Sequence, residues 1–414
     1  MSLNDTPMAE RTHIGFFGLR NAGKSSLVNR ITDQEMSLVS DVGGTTTDPV
    51  KKSMELLPLG PVTIIDTPGY DDEGSLGELR VKKTREVLKI CDIAVLVTEH
   101  TELTPSEKEL LELIKGRSVP YVIVKNKCDT DDCDNPDNEG SSQGGATGKD
   151  GLTGGAGIID IRVSAVTGEG IKELKENIAR LAKETDKSIR FVADLLKPGD
   201  TVVLVIPIDT SAPKGRLILP QQQAIRDILD AGAVSMVTGV ENLPDTLSSL
   251  KKEPALVITD SQAFGKVMKM VPKSIPLTSF SILMARYKGF LKEALKGAEM
   301  IGRLKDGAKV LICEGCTHHR QCEDIGTVKL PKWLKEYTGM ELNLSFTSGH
   351  GFPEDLSPYD LIIHCGACML NDREVAARME AAVASSVPFT NYGTAIAFMN
   401  GILARSVAPV LPYL

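Results

Sequence analysis

One run of eight residues restricts this chain more than any other: Gly18-Leu-Arg-Asn-Ala-Gly23-Lys24-Ser25. An apolar stretch at 13–18 leads into it, and a stretch of helical character at 25–31 leads out. Glycine at both ends lets backbone N–H groups curl around phosphate oxygens. The helix N-terminus beyond adds partial positive charge. In such a loop the lysine, here Lys24, reaches the β- and γ-phosphates, and the Ser25 hydroxyl ligates Mg²⁺. Gly18, Asn21, Gly23 and Ser26 complete the candidate phosphate cradle. The loop works only when a strand delivers it and a helix leaves it, so the N-terminal region must be α/β.

The pattern downstream agrees. Strand-like runs at 61–66, 93–98, 119–126 and 158–164 alternate with helical runs at 76–90, 106–115 and 171–187. That alternation predicts a doubly wound, mainly parallel sheet over residues 1–187. Residues 131–157 are dominated by Gly, Asp, Asn and Ser and read as a disordered insert, standing where a covering helix is expected. A second α/β region, 188–273, carries strands at 201–208, 233–238 and 254–259 with helices at 220–231 and 261–270. A third, 274–414, opens with a strand at 275–280 and a long helix at 281–304. Strands at 309–313, 341–346, 361–364 and 389–391 follow, with helices at 374–385 and 395–406. The sequence shows no internal repeat.

Composition narrows the function. The net charge is −8, which argues against a chain held to nucleic acid by phosphate charge. No apolar run approaches the roughly 18–20 residues of a membrane helix. Residues 1–10 are polar and lack a signal-peptide core. The expectation is a soluble cytoplasmic protein without membrane or nucleic-acid partners.

Four further segments accompany the phosphate loop in order. Asp66-Thr-Pro-Gly69 ends a strand, where a carboxylate can hold Mg²⁺. Asn126-Lys127-Cys128-Asp129 ends another and resembles the guanine-specifying motif of GTPases. Asp129 would accept from guanine N1–H and N2–H₂, Asn126 would fix the loop, and Lys127 would pack along the base. Ser164-Ala165 resembles the last GTPase motif, whose backbone N–H meets guanine O6. Gly43-Gly-Thr-Thr-Thr-Asp-Pro49 resembles the switch of TrmE/Era-like GTPases. By that resemblance Thr46 supplies the second Mg²⁺ hydroxyl, with Thr47 a near competitor. The implied activity is GTP hydrolysis, with Lys24, Thr46, Asp66 and Gly69 as its catalytic set. The run after Gly69, Tyr70-Asp-Asp-Glu-Gly, lacks a water-orienting glutamine, so intrinsic hydrolysis should be slow. Asn21 stands where TrmE-like enzymes help hold K⁺ beside the phosphates, which predicts K⁺ stimulation over Na⁺. The competing reading makes Asn21 an ordinary loop residue.

The second constellation is sulfur. Five of eight cysteines crowd the C-terminal region, in Cys313, Cys316-Thr-His318, Cys322 and His364-Cys365-Gly-Ala-Cys368. Two of these stretches follow apolar strands, where open α/β sheets build sites. Cys316, Cys365 and Cys368 suit a [4Fe–4S] cluster with one labile iron. With a histidine they also suit structural zinc, and the Cys-x-x-Cys suits a dithiol redox pair. His318, Glu323 and His364 are candidate fourth ligands, and Cys322 could substitute. Cys91 and Cys128 read as packed small side chains, His319 and His350 as ordinary loop histidines, and Trp333 with Tyr337 as helix packing.

The combination resembles the HydF family, the GTPases of [FeFe]-hydrogenase maturation. Glu314-Gly-Cys-Thr-His318, Glu323-Asp-Ile-Gly326, Ile362-Ile-His-Cys365, Asn391-Tyr-Gly393 and Ile258-Thr-Asp-Ser-Gln262 carry the likeness, as does 205–219. The resemblance implies three domains: GTPase (1–187), dimerisation (188–273) and cluster-binding (274–414). It implies a homodimer, with a [4Fe–4S] cluster on Cys316, Cys365 and Cys368. It further implies a scaffold and carrier that receives a diiron precursor with the radical-SAM maturases HydE and HydG. The carrier then passes it to apo-[FeFe]-hydrogenase. The alternative is a TrmE/Era-like regulatory GTPase with a structural zinc domain, acting in RNA modification or ribosome assembly.

Overall fold

The phosphate loop leaves the middle of a six-stranded sheet. In chain order its strands are β1 (Thr12–Phe17), β2 (Val50–Leu56), β3 (Gly60–Asp66), β4 (Ile93–Thr98), β5 (Tyr121–Lys125) and β6 (Gly157–Arg162). They lie in the order β2-β3-β1-β4-β5-β6, parallel except for the β2 edge, which runs antiparallel to β3. All six residues of β4 are buried, as a parallel strand covered on both faces requires. Helices Lys24–Thr32 and Ile171–Glu184 put Leu27, Val28, Leu174 and Ile178 into one core cluster. Pro105–Gly116 puts Leu110 and Ile114 into a separate cluster, together with Leu96 of β4. Thr104 caps that last helix reciprocally with Glu107.

The computed structural model describes residues 6–32, 49–70, 74–129, 157–184, 189–208, 217–315, 324–349 and 351–413. The chain forms two compact units, 1–186 and 187–414. The disordered insert read at 131–157 lies almost wholly outside the described residues, which resume at β6. No helix among the described residues is long and apolar enough to cross a membrane.

The second unit holds two four-stranded sheets over one continuous core. The first contains β7 (Thr201–Val205), β8 (Val234–Thr238), β9 (Leu256–Thr259) and β10 (Leu277–Ser279). The second contains β11 (Lys309–Glu314), β12 (Asn343–Ser348), β13 (Leu361–His364) and β14 (Phe389–Asn391). Their orders are β10-β9-β7-β8 and β12-β11-β13-β14, all parallel. Numbering each sheet from its first strand, both read 4-3-1-2, so the winding is duplicated although the sequence shows no repeat. A buried parallel strand asks only for apolar residues, so a topology can recur without a recurring sequence.

Three expectations are corrected here. The strand expected to open the third region, at 275–280, is β10 and pairs with β9 in the preceding sheet. The long helix at 281–304 is two helices, Phe280–Tyr287 and Leu291–Met300, broken at Gly289, whose φ of 79° leaves the helical region. The helix at 395–406 likewise divides into Tyr392–Met399 and Leu403–Val407 around Gly401, at φ 67°. Trp333 and Tyr337 do lie on one helix, Leu330–Thr338, where the Tyr337 ring meets Phe398 edge-on at 5.7 Å.

Candidate functional site: a phosphate loop and a cysteine crevice

The phosphate loop is shaped by close backbone approach. Gly18 has φ 148°, and a Cβ there would stand 2.2 Å from the Val97 carbonyl oxygen. Gly23 has φ 82°, and its Cβ would stand 2.2 Å from Asn126 Nδ2. No other residue fits either place without displacing backbone or that amide. Lys24 is buried and its ammonium donates to the carbonyls of Gly18 (3.1 Å) and Leu19 (2.7 Å), which folds it back over the loop. Asn21 is exposed and sits in the left-handed region at φ 64°.

Ser25 and Asp66 meet across the start of the helix and the end of β3. The Ser25 hydroxyl donates to Asp66 Oδ2 at 2.5 Å. Asp66 Oδ1 is buried with no hydrogen-bond partner among the described residues. Burial pushes the Asp66 carboxyl above its ordinary range, opposed by the Ser25 hydrogen bond and the Lys24 charge. An orphaned buried carboxylate oxygen beside a serine hydroxyl is a hard-oxygen donor set, which fits Mg²⁺. Beyond it, Thr67 Oγ1 donates to the Phe16 carbonyl at 2.6 Å and Tyr70 N to the Gly18 carbonyl at 3.1 Å. Gly69 packs on Arg20 so closely that a Cβ would lie 2.8 Å from Arg20 Cα. The 66–70 turn is therefore seated directly on the phosphate loop. Thr46 and Thr47 lie outside the described residues.

Asn126 ties three loops together. Its buried amide donates to the Ala22 carbonyl at 3.1 Å and the Gly23 carbonyl at 3.5 Å. Its Oδ1 accepts from Ala165 N at 3.2 Å. Ser164 is fully buried, and its Oγ accepts from Thr167 N at 3.0 Å, which shapes the turn that presents Ala165. Lys127 has φ 64° and pairs with Glu99, from the loop after β4. Asp129 is exposed beside it. Motif reading singled out Asn126 and Lys127 but not Glu99, since a lone acidic residue after a strand has no spacing signal.

The cysteine crevice lies at the reversal of strand order in the third sheet, between β11 and β13, where open α/β sheets place ligands. Cys365 N donates to the Cys313 carbonyl at 2.8 Å, extending the β11–β13 ladder by one step. Two backbone amides then point at its sulfur: Gly315 N at 3.1 Å and Ala367 N at 3.4 Å. Ala367 reaches that position through φ 57°. Such N–H groups favour thiolate over thiol. Burial raises the Cys368 thiol above its ordinary range, while the Lys288 ammonium pulls the other way. That ammonium is itself buried and donates to the Leu370 carbonyl (2.5 Å) and Asp372 Oδ1 (3.1 Å).

His364 lies directly behind the crevice and is fully buried. Its Nδ1 is 2.9 Å from the Cys365 carbonyl oxygen and its Nε2 is 3.0 Å from Arg378 Nη1. The first must be a donor and the second an acceptor, so the imidazole is neutral. Burial, followed by the Arg378 charge, lowers its pKa to about 4. With both nitrogens committed, His364 supports the Cys365 backbone and offers no lone pair to a metal. Arg378 continues to the Gly349 carbonyl (2.6 Å) and Glu374 (2.6 Å). Cys313, buried in β11, has its thiol pushed up to about 11 by burial.

Cys316, His318, His319, Cys322, Glu323 and His350 lie outside the described residues, as does Cys133. Among the described residues no three His, Cys, Asp or Glu side chains are grouped closely enough to hold a metal ion. Two soft sulfurs, one cradled by amides and the other beside an ammonium, nonetheless fit a thiolate-ligated metal group in their donor chemistry.

A strand-delivered phosphate loop, an Asp66–Ser25 pair and an Asn126-centred base loop define a P-loop GTPase domain, here followed by two further parallel α/β sheets. A sequence profile of the 50S ribosome-binding GTPase class matches 13–127. The profile of the hydrogen maturase F dimerization domain matches 191–289, and that of its tetramerization domain matches 292–409. The chain belongs to the hydrogen maturase F (HydF) family. Its N-terminal unit is also similar to tRNA modification GTPase MnmE of Koribacter versatilis, 31% identical over 174 residues, covering 41% of this chain and 33% of that one. MnmE of Heliobacterium modesticaldum is 34% identical over 171 residues, covering 41% and 34%. GTPase Der of Xylella fastidiosa is 32% identical over 186 residues, covering 42% and 37%. The chain thus spans about a third of the length of these relatives. Among solved structures, Era from Aquifex aeolicus bound to GDP and aluminium fluoride is 20% identical with a TM-score of 0.31, covering 55% of this chain and 92% of that one.

Proposed function

We propose that the chain is a GTP-hydrolysing scaffold that holds a [4Fe–4S] cluster and carries a diiron precursor to apo-[FeFe]-hydrogenase. The observation carrying this reading is the Cys365-x-x-Cys368 crevice at the strand-order reversal of a sheet that lies within the hydrogen maturase F tetramerization match. Cys365 and Cys368 would hold the cluster with Cys316, and an exchangeable fourth ligand, His318 or Glu323, would leave one iron accessible. The cluster supplies an attachment point for cargo. The protein supplies orientation, through His364 and Arg378 behind Cys365, and charge, through Lys288.

In the first unit Lys24 and the loop amides would hold the phosphates. Ser25 and Asp66, with Thr46, would hold Mg²⁺. Asp129 would select guanine, with Lys127 steadied by Glu99 and Asn126 fixing the loop. K⁺ at Asn21 would add positive charge beside the phosphates. Hydrolysis would change which partner binds. Those partners would be the maturases HydE and HydG, then the hydrogenase. Residues 191–289, which include β10, would dimerise the chain, and 292–409 would bind the cluster.

The test is anaerobic reconstitution with metal analysis and EPR after reduction. About four irons and a reduced-cluster signal, both lost in Cys365→Ala, are expected. Stoichiometric zinc without that signal would replace this reading with the zinc-containing regulatory GTPase.

A further inference from the structure

The duplicated winding of the second unit provides an internal control for one side chain. β10 and β14 are the fourth strands of their sheets, and each runs straight into a helix, Phe280–Tyr287 and Tyr392–Met399. The junctions correspond residue for residue: Thr278-Ser279-Phe280 in one, Thr390-Asn391-Tyr392 in the other. Ser279 Oγ caps its helix by accepting from Ile282 N at 3.2 Å, and Asn391 Oδ1 caps the other by accepting from Thr394 N at 2.8 Å. The first helical residue is a buried aromatic in both, 1% exposed at Phe280 and 8% at Tyr392. The fold therefore asks for a ring at this place and not for a hydroxyl. The hydroxyl occurs only in the sheet that carries the cysteines.

The Tyr392 hydroxyl sits in the crevice. A Cβ on Gly326 would lie 2.2 Å from Tyr392 Oη and 2.5 Å from Glu314 Oε1, so the glycine leaves room for both polar atoms. Tyr392 Oη is buried, yet it has no hydrogen-bond partner among the described residues. Burial, and then Cys365, Glu314, Asp324 and Cys313, push its pKa well above the usual range, so the phenol keeps its proton. A buried O–H donor without an acceptor is costly, and native proteins keep such groups where something else completes them.

We propose that the Tyr392 hydroxyl donates a hydrogen bond to an anionic sulfur of the group bound at Cys365 and thereby raises that group's reduction potential. The proposal rests on the iron–sulfur reading above. A donor to sulfur stabilises the more negative, reduced state, so it makes reduction easier.

The experiment compares full-length wild type with Tyr392→Phe after anaerobic reconstitution, reading iron content, deuterium ENDOR in D₂O and midpoint potential. Phenylalanine already occupies the equivalent place in the other sheet, at Phe280. The expected result is unchanged iron content, loss of one exchangeable deuteron coupling, and a midpoint shifted to more negative potential. Full iron loading with unchanged midpoint and unchanged couplings overturns the proposal while leaving the cluster reading intact. Failure of wild type itself to take up iron overturns both, and is recognised because it precedes the mutation. Should the variant not load, wild type grown on 3-fluorotyrosine decides. Its phenol is a stronger donor in the same packing, so a positive shift supports the proposal and no shift overturns it.

Discussion

The phosphate loop and the cysteine crevice both stand past the C-terminal ends of parallel strands, but the side chains that tie their surrounding loops together differ in kind. Around the phosphate loop, neutral groups lock loop to loop: Asn126 reaches Ala22, Gly23 and Ala165, and Gly69 lies on Arg20. Behind the crevice the support is charged and buried: Arg378 joins His364, Gly349 and Glu374, and Lys288 joins Leu370 and Asp372. A site for a hard, multiply charged ligand can be lined with backbone dipoles and wait. A site for soft thiolates needs fixed positive charge nearby to offset the sulfurs, and that charge must itself be anchored.

If the two sites are separate devices, each can be destroyed alone. Lys24→Ala should lower GTP turnover by about 10²–10³-fold and leave iron content unchanged. Cys368→Ala should do the reverse, abolishing iron binding with fluorescent GDP affinity intact. Loss of iron in Lys24→Ala would show that the nucleotide site sustains the crevice, and the comparison would fail.

The charged support should be the more fragile one. Arg378→Met removes the guanidinium from the Glu374 carboxylate, His364 Nε2 and the Gly349 carbonyl. The expected loss is about 3 kcal/mol, at the low end for a buried pair because Glu374 retains some exposure. Arg378→Lys should recover little, because the fork to three acceptors is lost. The single tryptophan, Trp333, lies in the second unit, so its fluorescence in urea reports that unit, and GDP binding reports the first. An unchanged urea midpoint would remove the buried network from the argument.

The contrast also explains what could be read from sequence. Gly18–Ser25, Asp66, Asn126 and Ser164 lie in short contiguous motifs at strand ends, so spacing alone brought them together on one sheet edge. The crevice joins β11 to β13 through side chains whose partners come from other elements. Arg378, on the helix Asp372–Ala384, reaches His364 of β13, and Lys288 reaches Leu370 and Asp372. No periodicity announces such pairs. The alternating strand and helix pattern gave the fold class, because burial of parallel strands is written in apolar runs. It missed the β2 edge, where Val50–Leu56 is largely polar, and the helix break at Gly289, which one glycine in an amphipathic run does not signal.

The neutral clasp should yield a smaller effect than either site's charges. Asn126→Ala removes the donor to Ala22 and the acceptor of Ala165, and should weaken GDP binding by about 1–3 kcal/mol. Iron content should not move. Equal GDP affinity in variant and wild type, by titration calorimetry, would mean the three loops hold their positions without it.

The smallest expected effect separates two explanations for Asn21. Its φ of 64° is a conformation that asparagine tolerates better than most residues, so the backbone alone accounts for its presence. A K⁺ role requires the side chain as well. Asn21→Gly keeps the backbone conformation and deletes the amide, whereas Asn21→Ala strains the loop and cannot decide. In wild type, turnover should be several-fold faster in K⁺ than in Na⁺ at equal ionic strength. If the amide helps hold the ion, that ratio falls toward one in Asn21→Gly while GDP affinity stays within about twofold, since no phosphate-loop glycine or lysine is touched. A ratio that survives the glycine assigns Asn21 to loop geometry, and any cation beside the phosphates must then be held by other groups.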